Sequence, residues 1–443
     1  MDRLTEPIIE PRRELLPSGN YDMIVCGAGP AGVCAALAAA RSGIRTLLVE
    51  GGGCLGGVWT SGILCMIHDV ASKAGLMSEL RARLERMEAI RYRFGGPNFT
   101  YDVEAMKAVL EEMCGEAGVE VRLHTRVVDA VASGGRLGAI VTESPSGREA
   151  FVADYFVDAT GNGDLAARAG CRFEMGHPDS GKVQPATLMA VFSGLPESAL
   201  TAERHYNRYG RVEPGVASGE KQGLLETFRS AGYFASNDAP TVFPLPHPGL
   251  YGCMFNHEFD VRCDSAEAIT AATIRARKEL LRAVQAVWKL PEWKELRLIV
   301  TADHIGLREG RRINGLYRLR AEDIVAGRRF DDGVCLVNFS VDVHSLEPGV
   351  YQARSFTDGI KARPYHVPYR ALVSSDYANL AMAGRCISGD FYAHASYRVT
   401  GNAVAMGEAV GAAAGLARRS GRTFAELDGR LVSDEMRRRG YEL

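Results

Sequence analysis

An α/β fold, with a layered parallel sheet assembled from two separated stretches of chain and an α+β unit inserted between them, is predicted by three observations. Residues 21–50 read as strand, glycine-rich turn, helix and strand. Short apolar runs that end in glycine return at 157–163 and 380–384. Between those returns the chain breaks into short, turn-rich pieces, with Pro244, Pro246 and Pro248 close together. The 443 residues are enough for more than one domain. With 46% hydrophobic and 24% charged residues, a disordered or fibrous chain is excluded. Lys and Arg (52) nearly balance Asp and Glu (54) for a net charge of -2, so no global basic field is available to hold nucleic acid.

Residues 1–20 form an N-terminal arm with Arg3, Arg12 and Arg13 among Pro7, Pro11 and Pro17. The arm lacks the apolar stretch of a secretory signal. No later run is apolar enough to read as a membrane span. The ten cysteines show neither a C-x-x-C pair nor zinc spacing, which predicts a reduced, cytoplasmic protein without a metal site.

Tyr21 to Cys26 is an apolar run of strand length. It enters Gly27-Ala28-Gly29-Pro30-Ala31-Gly32, then an Ala-rich helical run from Val33 to Ser42, then Thr46 to Val49 and Glu50. Strand, glycine turn, helix, strand and acid in this order make the Rossmann dinucleotide fingerprint. Gly27 permits the tight turn, Gly29 lets backbone approach a pyrophosphate, and Gly32 lets helix and sheet pack closely. Pro30 and Ala31 share the helix N-terminus, whose free N–H groups favour a diphosphate. Glu50 is placed to accept both hydroxyls of an adenosine ribose. Six glycines follow between Gly51 and Gly62, Gly56 and Gly57 among them. So much bare backbone suits an extended FAD running on toward its ring better than NAD.

These blocks, together with Tyr101 to Leu110, Val119 to Leu123, Val157-Asp158-Ala159-Thr160-Gly161-Asn162-Gly163-Asp164 and Tyr365 to Gly411, resemble the FAD-dependent oxidoreductase family. That family is similar in architecture to the flavoprotein subunits of succinate dehydrogenase and fumarate reductase. The resemblance implies a three-layer, glutathione-reductase-type FAD-binding domain from 21–170 and 364–420. It implies a substrate cap at 171–363, and the tail 421–443 reads as a surface helix. It also implies cofactor contacts at Thr160, Gly161 and Asp164, at Val127 or Val128 for adenine, and at Gly384 and Arg385 for the ribityl chain. Gly401 and Asn402 open a helix whose dipole would stabilise negative charge on the flavin, with Arg398 adding a fixed positive charge. The glycine clusters at 27–32, 51–62, 161–163 and 384–411 would then trace the path of FAD.

The activity implied is hydride transfer from a C–OH or C–N bond of a small polar substrate to flavin N5, which needs a base for the proton. His394 and Tyr392 adjoin the expected flavin edge and lead as candidates, with His344 and His366 behind them. Arg308, Arg311 and Arg312 form a candidate clamp for a substrate carboxylate, and Arg311 is taken from it for the active site. Cys54, Cys65 and His68 do not match the His-linked pattern of fumarate reductase, so noncovalent FAD is expected. Electrons would leave to oxygen, a quinone or a protein. An FAD monooxygenase is the alternative enzyme, although Asp158 is followed by Ala159 and not by the glycine of an NADPH-contact motif. A flavoprotein subunit relaying electrons to a partner is the alternative outside catalysis.

Overall fold

The computed structural model describes residues 12–93, 96–199, 216–348 and 357–443, so residues 1–11 of the N-terminal arm lie outside it. The first unit is β1 (Pro17–Cys26), α1 (Pro30–Ala40) and β2 (Thr46–Val49). β1 begins four residues before Tyr21, because its exposed N-terminal half pairs with a long neighbouring strand. β3 (Met66–Ile67), α2 (Gly75–Arg86), β4 (Ile90–Tyr92), β5 (Phe99–Tyr101), α3 (Val103–Ala117) and β6 (Glu120–Arg122) follow. Asp102 caps α3 by accepting from the Ala105 N–H at 2.7 Å, and Gly118 ends it in the left-handed region. Next come β7 (Arg126–Ser133), β8 (Arg136–Ser144), β9 (Gly147–Asp158) and α4 (Asp164–Arg168).

The main sheet runs β6-β2-β1-β9-β8-β7, and β18 (Leu380–Met382) lies beside the end of β9. β6, β2, β1, β9 and β18 are mutually parallel, whereas β7, β8 and β9 form an antiparallel meander. Val25, Leu47, Leu48 and Val49 are all buried, as central parallel strands covered on both faces require.

The intervening chain contains β10 (Phe173–Glu174), β11 (Ala190–Ser193), α5 (Val216–Ser230), β12 (Thr241–Pro244), β13 (Leu250–Met254), α6 (Ala266–Val287), β14 (Arg297–Thr301) and β15 (Arg312–Ile313). A four-stranded antiparallel sheet, β12-β13-β11-β14, packs a second core of Phe192, Phe228, Phe243, Phe255 and Trp293 against α6. The sequence places that helix at 265–288. Ser265 caps it, accepting from the Ala268 N–H at 3.1 Å.

The chain then runs through α7 (Ala321–Ala326), β16 (Gly333–Val337), β17 (Tyr365–Pro368) and β18 to α8 (Phe391–Tyr397), α9 (Thr400–Ser420) and α10 (Gly429–Arg438). α9 is buried along nearly its whole length against α1. A Cβ on Gly407 would fall 2.1 Å from the Ala31 carbonyl oxygen, and one on Gly411 would fall 2.3 Å from that of Ala35. These two glycines therefore serve helix packing, which departs from the expectation that the whole 384–411 cluster touches the cofactor. All ten cysteines are free, and all but the half-buried Cys54 are buried. Among the described residues, no helix is long and apolar enough to cross a membrane.

Candidate active site

A cavity of about 500 Å³ opens where the parallel sheet meets the inserted unit. Its size and position suit a cofactor or small-molecule site. Gly27, Gly29, Pro30, Ala31, Glu50, Gly57, Thr160, Gly161, Gly384, Arg385 and Arg398 are on its wall. The sequence separates them by hundreds of residues. The parallel strands collect them, because β1, β2, β9 and β18 all end on the same side.

Backbone and carboxylates shape the nucleotide end. Gly27 has φ of 92°, and a Cβ there would lie 2.7 Å from the Ala159 carbonyl oxygen, so only glycine makes this turn. The two carboxylate oxygens of Glu50 accept from the Ala28 and Gly52 N–H groups, each at 2.7 Å. This acid therefore ties the two glycine loops together, in addition to any contact with ribose. Asp158 is fully buried and accepts from the Thr160 N–H (3.0 Å), the Thr160 hydroxyl (2.7 Å) and the Ala166 N–H (2.8 Å). Burial raises its carboxyl above the ordinary range, and those bonds oppose the rise.

The residues fit FAD on two observations. Neither α1 nor α9 has a side-chain cap, and Pro30, Thr400 and Ala403 from their first turns line the cavity. Two sets of free N–H groups are thus offered where anionic parts of a dinucleotide would lie. Arg385 donates to Asn162 Oδ1 at 2.6 Å, while its buried Nε has no partner.

Other expected positions lie behind the wall. Gly32 packs against Gly27, where a Cβ would meet the carbonyl oxygen, and a Cβ on Gly401 would meet the His68 carbonyl oxygen at 2.3 Å. Asn402 is fully buried and accepts from the Cys335 thiol at 3.6 Å. Gly51, Gly56 and Val128 are off the wall as well, Val128 standing at a bulge in β7 between the paired Val127 and Asp129. Arg311 donates to the Asn162 carbonyl at 3.0 Å and to Asp164 at 2.9 Å, so both hold the 160–164 loop from outside. Tyr392 donates to Asp358 and stands 3.4 Å from His177. His394 is completely buried, in edge contact with Tyr397, and neither ring nitrogen has a hydrogen-bond partner. Burial and the Arg312, Arg398 and Arg385 charges hold it well below the ordinary histidine range.

At the other end of the cavity is an ionic cluster that joins residues the sequence reading treats separately (His68, Arg308, His344 and Arg398) to Asp342, which it does not name. Arg308, Asp342, His344 and Arg398 line it, with His68 and Phe339 alongside. Arg398 donates to Asp342 at 2.9 Å, and His344 Nε2 stands 3.3 Å from the same carboxylate. Arg308 Nη1 donates to the Pro185 carbonyl at 2.5 Å and to Thr187 Oγ1 at 2.9 Å. Burial alone would raise the Asp342 carboxyl, but His344, Arg398 and Arg308 outweigh it and hold the acid well below its usual range. Burial and Arg308 push His344 down to about 4, with Asp342 opposing. Burial and Arg93 push His68 to about 4. At neutral pH the cluster therefore holds one carboxylate, two guanidinium cations and neutral imidazoles. The available signal was the spacing Asp342-Val343-His344, since residues two apart face the same way in extended chain.

Fold and site together define a redox enzyme built around an extended dinucleotide. The chain belongs to the FAD-dependent oxidoreductase family, whose model matches residues 22–436. It is thus an oxidoreductase with FAD as its cofactor. Over 216 residues, 46% of this chain and 75% of the relative, it is 31% identical to the thiamine thiazole synthase of Aeropyrum pernix. Among solved structures, it is similar to a geranylgeranyl bacteriochlorophyll reductase-like protein of Thermoplasma acidophilum. That match covers 96% of this chain and 84% of the other at 12% identity and a TM-score of 0.48. The myxobacterial chondrochloren halogenase matches over 95% and 79% of the two chains at 14% identity and a TM-score of 0.44.

Proposed function

We propose that this enzyme oxidises a C–OH or C–N bond of a small substrate held beside the ionic cluster. The observation that carries the reading is the Asp342–His344 pair on the wall of the cavity that also receives the nucleotide loops. Bound FAD supplies the two-electron acceptor, which needs the substrate C–H held at roughly 3–3.5 Å. His344, neutral at working pH, takes the proton released from the alcohol or amine. Asp342 orients the ring and stabilises the imidazolium that forms, as a fixed carboxylate does for a histidine base. Arg308 and the open N-terminus of α9 supply positive potential on the same wall. In this reading His394 and Tyr392 support the site from behind, and FAD is held without a covalent bond.

Anaerobic titration of the holoenzyme with alcohols, amines and 2-hydroxy acids tests it. A reactive compound bleaches the flavin absorbance. Asp342→Asn slows that bleaching by about 10²-fold or more, the usual worth of a positioned base, with FAD retained. Bleaching of Asp342→Asn at the wild-type rate removes the pair from the mechanism. Bleaching by NADPH alone, with none by alcohols or amines, favours the monooxygenase instead.

A further inference from the structure

The charges and walls of the cavity restrict what the substrate is. In the ionic cluster Arg398 is neutralised by Asp342. Arg308 has no carboxylate within ion-pair distance among the described residues. Nη1 of Arg308 spends both hydrogens on Pro185 and Thr187. What remains is the Nε–Nη2 edge, two parallel N–H donors whose geometry matches one carboxylate. One positive charge is therefore uncompensated at this end. Burial already pushes Arg308 down to about 9, with Arg398 adding to the effect and the shared Asp342 carboxylate only partly opposing it, so a bound anion relieves a desolvated cation. Asp303 also lines the cavity but is exposed at its mouth, where solvent screens it.

The remaining wall near the inserted unit is mainly apolar, with Met66, Met189, Met254, Ile269, Ile305 and Leu307 beside Thr273 and His304. Methionines make an adaptable surface that suits flexible hydrocarbon. A small, wholly polar substrate would leave these side chains facing water, and a dianion would place a second charge against them.

We infer that the substrate is an amphipathic monoanion, one carboxylate held by Arg308 with an apolar body along the methionine wall. This rests on the reading of the cavity as the substrate site and replaces the small polar substrate expected from sequence. The test is calorimetric binding of inert probes to the holoenzyme. Hexanoate binds, and acetate binds more weakly by roughly fourfold per methylene removed, the worth of a buried CH₂. Adipate and 1-hexanol each bind at least tenfold more weakly than hexanoate. Arg308→Gln weakens hexanoate at least tenfold without loss of FAD, and Arg308→Lys, which keeps the charge but not the fork, falls between. Absence of hexanoate binding, equal binding of adipate or 1-hexanol, or an Arg308→Gln variant that binds hexanoate normally overturns the inference. Should the glutamine variant not fold, the probe series on the wild-type protein decides.

The two readings fail separately. If 2-hydroxyhexanoate binds through Arg308 yet leaves the flavin oxidised under anaerobic conditions, the substrate class stands and the dehydrogenase reading fails. If 1-hexanol bleaches the flavin as fast as 2-hydroxyhexanoate, the dehydrogenase reading stands and the substrate class fails.

Discussion

Glu50→Gln removes one oxygen from a carboxylate whose two oxygens are both used by the chain itself. The Ala28 and Gly52 N–H groups each donate to it at 2.7 Å. A glutamine retains one acceptor and turns an NH₂ group toward the other donor, so one charge-assisted bond is lost and one N–H is left facing another. Such a bond is worth about 1.5–3 kcal/mol. Because Glu50 is only half-buried, the lower part of that range applies, about 1.5–2 kcal/mol of folding stability, and FAD affinity falls to the extent that the loosened loops must be re-ordered on binding. Both bonds exist within the protein chain, so the apoprotein is also expected to melt at a lower temperature than wild type. Fluorescence titration of apoprotein with FAD gives the affinity, and a thermal melt without cofactor gives the second value. Weaker FAD binding with an unchanged apoprotein melt would refute the claim that Glu50 ties the loops, and would leave it only a ribose contact.

His394→Ala empties part of a fully buried site and is expected to cost roughly 2 kcal/mol or more. Turnover then falls together with melting temperature and FAD content. A selective loss of turnover at an unchanged melt would return His394 to the chemistry. Acid should destabilise the fold, because His68 and His344 have folded-state values of about 4 against 6.5. The unfolded chain therefore binds more protons between those values, and stability is full above about pH 6.5 and declines toward pH 4. Each contributes at most ~3 kcal/mol, and equal urea midpoints at pH 7 and pH 5 would contradict this. Denaturation in urea should release the yellow colour from the chain, and colour that stays with the polypeptide would show a covalent flavin.

The nucleotide end was readable because its signals are local. Tyr21 to Glu50 carry their own strands, turn and helix, and Asp158 and Gly384 sit at or just past the ends of short apolar runs of strand length. The ionic cluster was not readable in that way. His68, Arg308, Asp342 and Arg398 come from four distant segments, and only packing of the inserted unit against the sheet brings them to one wall. His394 was chosen for its nearness in sequence to Gly401, but its turn of α8 points into protein, while Arg398, just beyond the helix, reaches the cavity. Glycine counts carried a second ambiguity. Composition does not tell a residue that clears space for a cofactor from one that clears space for a helix, as Gly407 and Gly411 do.

That helix contact makes a gauge of the protein. α1 and α9 both start at the cavity and meet through bare backbone at Gly407 and Gly411. Sliding one along the other would drive an alanine Cβ into a carbonyl, so the pair moves as one block. The spacing of its two positive ends is therefore set by the packing of the chain itself.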